Sequence, residues 1–262
     1  MPFLDRPDGA RLYHELHGPT DRSALVLLEG MGGDIAGWRR NVPHLAVDHR
    51  VVAWDLRGNG RSLLGTVPED VPMGIETFVD DTLALLDELG IERAHLYGQS
   101  FGGMIAQEFA LNHPGRVRAL VLAATHGGRA HLVPVPANRR TAPNDRPWIT
   151  LYAPGFPEAH PEHVAGDLAS GTGQEPVARR RQWEAIQTFD SFDRLGSIHA
   201  PTLVLHGAQD RMIDPRNARL LAERIPGARL ETLEGAGHVY HSEQADRSDA
   251  LVLAFLRSHD DA

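Results

Sequence analysis

The chain has 262 residues and contains neither cysteine nor lysine. Without cysteine there is no disulfide, no thiolate nucleophile and no cysteine-ligated zinc. Without lysine a Schiff-base mechanism is excluded, and all 26 basic residues are arginine. Long apolar runs are missing too. A membrane-spanning helix needs about 20 apolar residues in succession, and the best runs, Ala24–Leu28 and Ala119–Ala124, are short enough to read as buried strands. The opening Met1-Pro2-Phe3-Leu4-Asp5-Arg6 lacks the basic-then-apolar order of a secretory signal. A cytoplasmic protein with no membrane partner is expected. The formal charge of −9 argues against non-specific nucleic-acid binding.

What is present is an ordinary globular balance of 42% hydrophobic and 23% charged residues, enough apolar surface to offset ordering entropy. Short apolar runs alternate with longer helical stretches, the pattern of an α/β fold with a mostly parallel sheet flanked by helices. Strands are expected at Arg11–His17, Ala24–Glu29, Arg50–Asp55, Ala94–Gly98, Val117–Ala124, Thr202–His206 and Arg229–Leu233. Helices are expected at Ile75–Leu89, Phe101–Asn112, Pro215–Arg224 and Gln244–Arg257. In the first of these, Ile75, Phe78, Val79, Leu83, Leu86 and Leu89 recur at helical spacing.

One stretch breaks the rhythm. Between Thr125 and His199 no buried strand is expected, and 134–161 is rich in proline. Such a length is too great for a plain loop, and it reads as a helical cap inserted at 127–198 into a core of 1–126 and 199–262. Helical pieces are expected near Pro161–Ala169 and Pro176–Phe189. The insertion carries eight arginines and eight acidic residues, so its charge gives no hint of an ionic substrate.

The strongest local signal is Gly98-Gln99-Ser100-Phe101-Gly102, between an expected strand and an expected helix. Chance alone gives roughly 0.1 such matches in a chain with nine serines and 26 glycines. A serine hydroxyl is a weak nucleophile unless it is exposed, held and given a base. A sharp strand-to-helix turn presents it, small flanking residues let the helix approach the strand, and the helix N-terminus favours a developing oxyanion. Fifteen histidines are available as the base, so position must select it.

The chain resembles the α/β-hydrolase superfamily over nearly its whole length. Four motifs carry the resemblance in order: Leu27-Leu28-Glu29-Gly30-Met31-Gly32-Gly33 with Trp38; Asp55-Leu56-Arg57-Gly58-Asn59-Gly60-Arg61-Ser62; the turn at Ser100 with Gly103; and Leu205-His206-Gly207-Ala208-Gln209-Asp210 followed by Gly235-Ala236-Gly237-His238. The resemblance implies a catalytic triad of Ser100, Asp210 and His238, in the family's chain order of nucleophile, acid and base. His241 is the rival base. Asp214 is the rival acid, and is better read as a cap for the helix at Pro215. The oxyanion hole is expected from the backbone N–H groups of Met31 and Phe101. The Asp55–Ser62 loop is read as a fixed polar network of Asp55 and Arg57.

Glu29 departs from the histidine that many relatives carry there. It either hydrogen-bonds neighbouring backbone or faces the pocket. Trp148 and Trp183 are further pocket candidates, with Trp183 expected to point inward because Arg179–Arg181 and Glu184 mark the opposite helix face. A serine in place of aspartate at the turn argues against epoxide and halide chemistry. The expected function is cleavage of a carboxylic ester or lactone of a small, partly apolar molecule through an acyl-enzyme, with no metal or cofactor. The alternatives are a carbon–carbon bond hydrolase or perhydrolase with the same triad, and a ligand receptor on the same fold.

Overall fold

Alternation along the apolar runs decides which side chains reach which layer. The computed structural model describes residues 2–66, 73–140, 142, 146–171 and 173–260. Eight strands form one sheet among them: β1 (Phe3–Asp5), β2 (Arg11–His17), β3 (Ala24–Leu28), β4 (Arg50–Trp54), β5 (Ala94–Gln99), β6 (Val117–Ala123), β7 (Thr202–Gly207) and β8 (Arg229–Leu233). Their order is β1-β2-β4-β3-β5-β6-β7-β8, with β1 and β2 antiparallel at one edge and the rest parallel. β1 is an addition to the expected set; three residues are too few to show a period.

The helices are α1 (Val42–Leu45), α2 (Ile75–Glu88), α3 (Phe101–Asn112), α4 (Phe156–Ala159), α5 (Pro161–Ser170), α6 (Pro176–Thr188), α7 (Arg216–Arg224), α8 (Tyr240–Glu243) and α9 (Ala245–Arg257). Val26, Leu28, Val52, Trp54, Leu96, Leu120, Leu122 and Val204 point to one side of the sheet, against Phe78 of α2, Phe101, Ile105 and Phe109 of α3, and Leu221 of α7. Their strand neighbours Leu25, Leu27, Val51, Ala53, Tyr97, Val121, Leu203 and Leu205 point to the other, against Trp38, Leu45 of α1 and Val252 and Leu256 of α9. Both faces are buried, so these strands read as continuous apolar runs rather than alternating ones. No helix among the described residues is long and apolar enough to cross a membrane.

The sheet order reverses between β3 and β5. After β3 the chain crosses to β4 on one side, then returns to place β5 on the other. Ligand sites in open α/β sheets form at such a reversal, beyond the C-terminal ends of the strands. Leu28 pairs with Gly98 in register, so the loop starting at Glu29 and the turn at Ser100 leave the sheet at one level. Gly207 pairs with Leu233, which brings the loops after β7 and β8 to the same end. The segment between β6 and β7 holds α4, α5 and α6 and several short 3-10 turns, and adds no described strand to the sheet. Residues 141 and 143–145 of its proline-rich part lie outside the described residues.

Asp55 and Arg57 are both fixed, but by separate partners. Asp55 accepts from Ile35 N–H and Arg61 N–H, both at 2.8 Å. Arg57 makes a two-pronged pair with Asp81 of α2, at 2.7 and 2.6 Å, and a further bond to Asp8. Asp81 is fully buried and Arg57 nearly so. Removing one member of such a pair leaves an uncompensated buried charge, a loss of about 3–5 kcal/mol. We therefore expect Asp81→Ala to lower the unfolding free energy by about that amount in urea titrations. A loss below about 1 kcal/mol would mean that Asp8 alone suffices to hold Arg57.

Candidate active site

Close approach at the centre of the sheet sets the backbone of Ser100. A Cβ on Gly102 would stand 2.0 Å from Leu28 O, and one on Gly98 would stand 2.3 Å from Gly102 O. Only glycine fits, and α3 presses directly onto β3 and β5. Between them Ser100 adopts φ 52° and ψ −111°, outside the helical and extended regions. Its surroundings hold it there. Ser100 N–H donates to Ala123 O at 2.8 Å, and Ser100 O accepts from Thr125 Oγ1 at 2.7 Å and from Gly103 N–H at 3.0 Å. Strain of this kind, at about 1–3 kcal/mol, persists only where neighbours over-determine it.

His238 follows β8, and Asp210 follows β7. His238 Nδ1 donates to Asp210 Oδ2 at 2.8 Å. With Nδ1 carrying that proton, Nε2 is the nitrogen left with a lone pair. Asp210 is fully buried and accepts four hydrogen bonds. Oδ1 takes Met212 N–H at 2.7 Å and Ile213 N–H at 3.0 Å. Oδ2 takes His238 and also His206 Nε2 at 2.9 Å. Burial pushes its pKa up, but the charge of His238 and the bonds from both imidazoles outweigh that and hold it well below the ordinary carboxylate range. Gln99 Nε2 donates to His238 O at 3.3 Å, tying the Ser100 turn to the His238 loop.

The rival residues have other partners. Asp214 accepts from the backbone and guanidinium of Arg216 at the start of α7. His241 packs at a tilt against Trp38, with ring centres 4.9 Å apart.

Gly30 lies against the serine: a Cβ there would be 3.4 Å from Ser100 Cβ. Among the described residues, the N–H groups of Gly30, Gly32 and Gly33 have acceptors in Glu29 Oε1, Gln182 Oε1 and Gly30 O. Those of Met31 and Phe101 have none among these residues.

Glu29 hydrogen-bonds its neighbouring backbone. Oε1 accepts from Gly30 N–H at 2.8 Å, while buried Oε2 has no partner among the described residues. Gly33 and Gly37 leave it room, since a Cβ on Gly37 would lie 2.5 Å from Oε2. Burial pushes its pKa up to about 7, with Asp34 adding to the rise and Gly30 N–H and His238 opposing it. Glu29 lines a cavity of about 270 Å³ together with Arg39, Tyr152, Asp167, His241 and Ser242. Leu151, Leu168 and Val239 supply an apolar part of the wall. Asp167 of α5 is its hub, accepting from Arg39, from Ser242 Oγ at 2.6 Å and from Tyr152 OH at 3.1 Å.

Trp183 does not point inward. It is 50% exposed, and the buried face of α6 is Ala178, Arg181, Gln182 and Ala185. The arginine cluster misled, because Arg181 lies on the inner face. The neighbouring Gln182 reaches the glycine-rich loop instead, bonding Gly32 N–H at 3.2 Å and Asn59 Oδ1 at 2.9 Å. Trp148 packs edge-on to Tyr152 and does not line the cavity.

Sequence reasoning also passed over His206, Asp167 and Gln182. Only His206 carried a local signal, four residues before Asp210 in a quoted motif. His49, His95 and Asp260 come close enough to share an ion, but at the opposite end of the sheet, where Asp260 Oδ1 already accepts from Ser23 Oγ and His95 Nε2.

The model of the alpha/beta hydrolase fold family matches residues 23–174 and 167–245. This chain belongs to that family. A protein of Variovorax paradoxus bearing the name carbamate hydrolase RutD is 31% identical, covering 94% of this chain and 96% of its own length. Among solved structures, the enol-lactonase from Burkholderia xenovorans LB400 is 28% identical with a TM-score of 0.85, over 98% of this chain and 100% of its own. Est816, described as an N-acyl homoserine lactone degrading enzyme, is 28% identical with a TM-score of 0.80, over 97% of this chain and 100% of its own.

The raised pKa of Glu29 has a stability consequence. A carboxyl whose folded value lies near 7, against an ordinary value near 4.5, contributes stability below about pH 4.5 that is lost as pH rises through 7. Glu29→Gln removes the cost of ionisation. We expect the variant to be more stable than the parent at pH 8, on the order of 1–3 kcal/mol, and to match it near pH 4.5 in denaturant titrations. A difference that does not grow with pH would show that the carboxyl ionises freely.

Proposed function

We propose that the protein is a serine hydrolase that cleaves a carboxylic ester or lactone through an acyl-enzyme. The observation that carries this reading is the His238 Nδ1–Asp210 Oδ2 hydrogen bond at 2.8 Å, which leaves Nε2 as a base at the end of the sheet where Ser100 is held. Ser100 Oγ attacks the acyl carbon as His238 Nε2 takes its proton. Asp210 stabilises the imidazolium that forms. The Met31 and Phe101 N–H groups hold the oxyanion, each donor being worth about 2.7–4 kcal/mol in the transition state. Collapse expels the alcohol oxygen, which His238 protonates. A water, deprotonated by the same nitrogen, then attacks the acyl-enzyme, releasing the acid and restoring Ser100.

The names borne by the lactonase and lactone-degrading neighbours support ester or lactone chemistry. Residues 127–198 act as a cap in this reading, with Gln182 bracing the oxyanion loop. The cavity at Glu29 takes a polar part of a small substrate, with Arg39, Tyr152 and Ser242 on its wall. Trp183, half-exposed, drops out as the first specificity residue.

Two comparisons test the assignment over a panel of small esters, lactones and carbamates. Ser100→Ala is expected to abolish turnover without unfolding the protein. Asp210→Asn should lower kcat by about 10⁴, far more than Asp214→Asn, because loss of the orienting carboxylate leaves the histidine in the wrong tautomer. Near-normal turnover by Ser100→Ala, or equal effects of the two aspartate variants, would contradict the roles given.

A further inference from the structure

We propose that His206 is a positioning residue for the acid–base pair: a second imidazole that shares Asp210 Oδ2 with His238, fixes that oxygen and moderates the basicity of His238. The proposal rests on the triad reading above.

The donor count makes the case. A carboxylate has about four acceptor sites, and Asp210 fills four: two backbone N–H groups on Oδ1 and two imidazoles on Oδ2. His206 Nε2 lies 2.9 Å from Oδ2 and 3.1 Å from Ile213 O. Neither oxygen can donate, so Nε2 must carry the proton. His206 is itself buried on β7, a strand paired on both sides. Oδ2 is thus anchored to the sheet from one direction and presented to His238 from the other.

Sharing has an electrostatic effect of fixed sign. A donor on Oδ2 draws off negative charge that would otherwise hold the Nδ1 proton of His238 and stabilise its imidazolium. Without His206, His238 becomes more basic. Other titratable groups face the pair: Glu29 on the loop after β3, which is coupled to His238, and Tyr240, His241 and Glu243 of α8. Substitution at 206 replaces none of them, so they set the baseline of a pH profile rather than a difference between variants.

The test is the pH dependence of kcat/KM for p-nitrophenyl acetate, with the parent, His206→Leu and His206→Gln. We expect the acid limb of His206→Leu to move to higher pH by about 0.5–1 unit. We expect His206→Gln, which keeps a donor, to return it toward the parent value. Lower rates with an unmoved acid limb in both variants would mean that His206 only packs the core, and would overturn the proposal. A second measurement needs no variant. Nitrogen–proton correlation spectra of the parent protein should show His206 protonated on Nε2 and hydrogen-bonded; an Nδ1-protonated tautomer overturns the proposal even where a variant does not fold. Turnover by the parent that survives Ser100→Ala would instead defeat the triad reading, and leaves the spectroscopic result to decide whether the imidazole pair exists.

Discussion

Leu28 O stands where a side chain on Gly102 would begin. That contact at the middle of the sheet fixes how closely α3 approaches β3 and β5, and with it the left-handed backbone of Ser100. It also brings Gly30 within contact of the serine, so the glycine-rich loop and the turn form one surface. The pairing of Leu28 with Gly98 and of Gly207 with Leu233 carries the same alignment across the sheet. A residue larger than glycine at 98 or 102 would push the helix outward and release the serine from its neighbours.

On that frame the electrostatics of two buried carboxyls diverge. Asp210 and Glu29 are both enclosed, yet Asp210 is held ionised and Glu29 is pushed toward neutrality. Both are raised by burial, but the charge of His238 and the bonds from both imidazoles outweigh that at Asp210, while Glu29 has Asp34 adding to the rise and, among the described residues, one donor, Gly30 N–H. Carboxyls pushed apart in this way suit separate tasks in one site. An ionised Asp210 suits the orientation of a histidine, and a carboxyl kept near neutrality suits the donation of a hydrogen bond. Glu243 is a third case, with two backbone donors and a value near 7, and it braces Ala153 against Gly237 beside His238.

Much of this was legible in the chain because it is local. The strand-to-helix turn at Ser100 and the parallel strands follow from motifs with short internal spacing, whereas the pairing of Asp210 with His238, 28 residues apart, was implied only by the family resemblance. What escaped was long-range or depended on helix rotation. Trp183 was placed by treating arginines as markers of a solvent face, but Arg181 and Gln182 occupy the buried side of α6. The Asp167 hub joins side chains near residues 39, 152 and 242, and no period links those positions. His206 was inside a motif, but its bond to Asp210 depends on how the chain turns after β7. Asp81 sits inside the apolar face of α2, where a buried charge follows only from knowing that Arg57 lies opposite.

The central claim is that Ser100 is a nucleophile activated by His238. Treatment of the intact protein with a fluorophosphonate, followed by mass spectrometry of the whole chain and its peptides, tests it most directly. We expect one phosphonyl adduct per chain, located on Ser100 and absent after His238→Ala. An unmodified protein, or an adduct on a different residue, would contradict the claim.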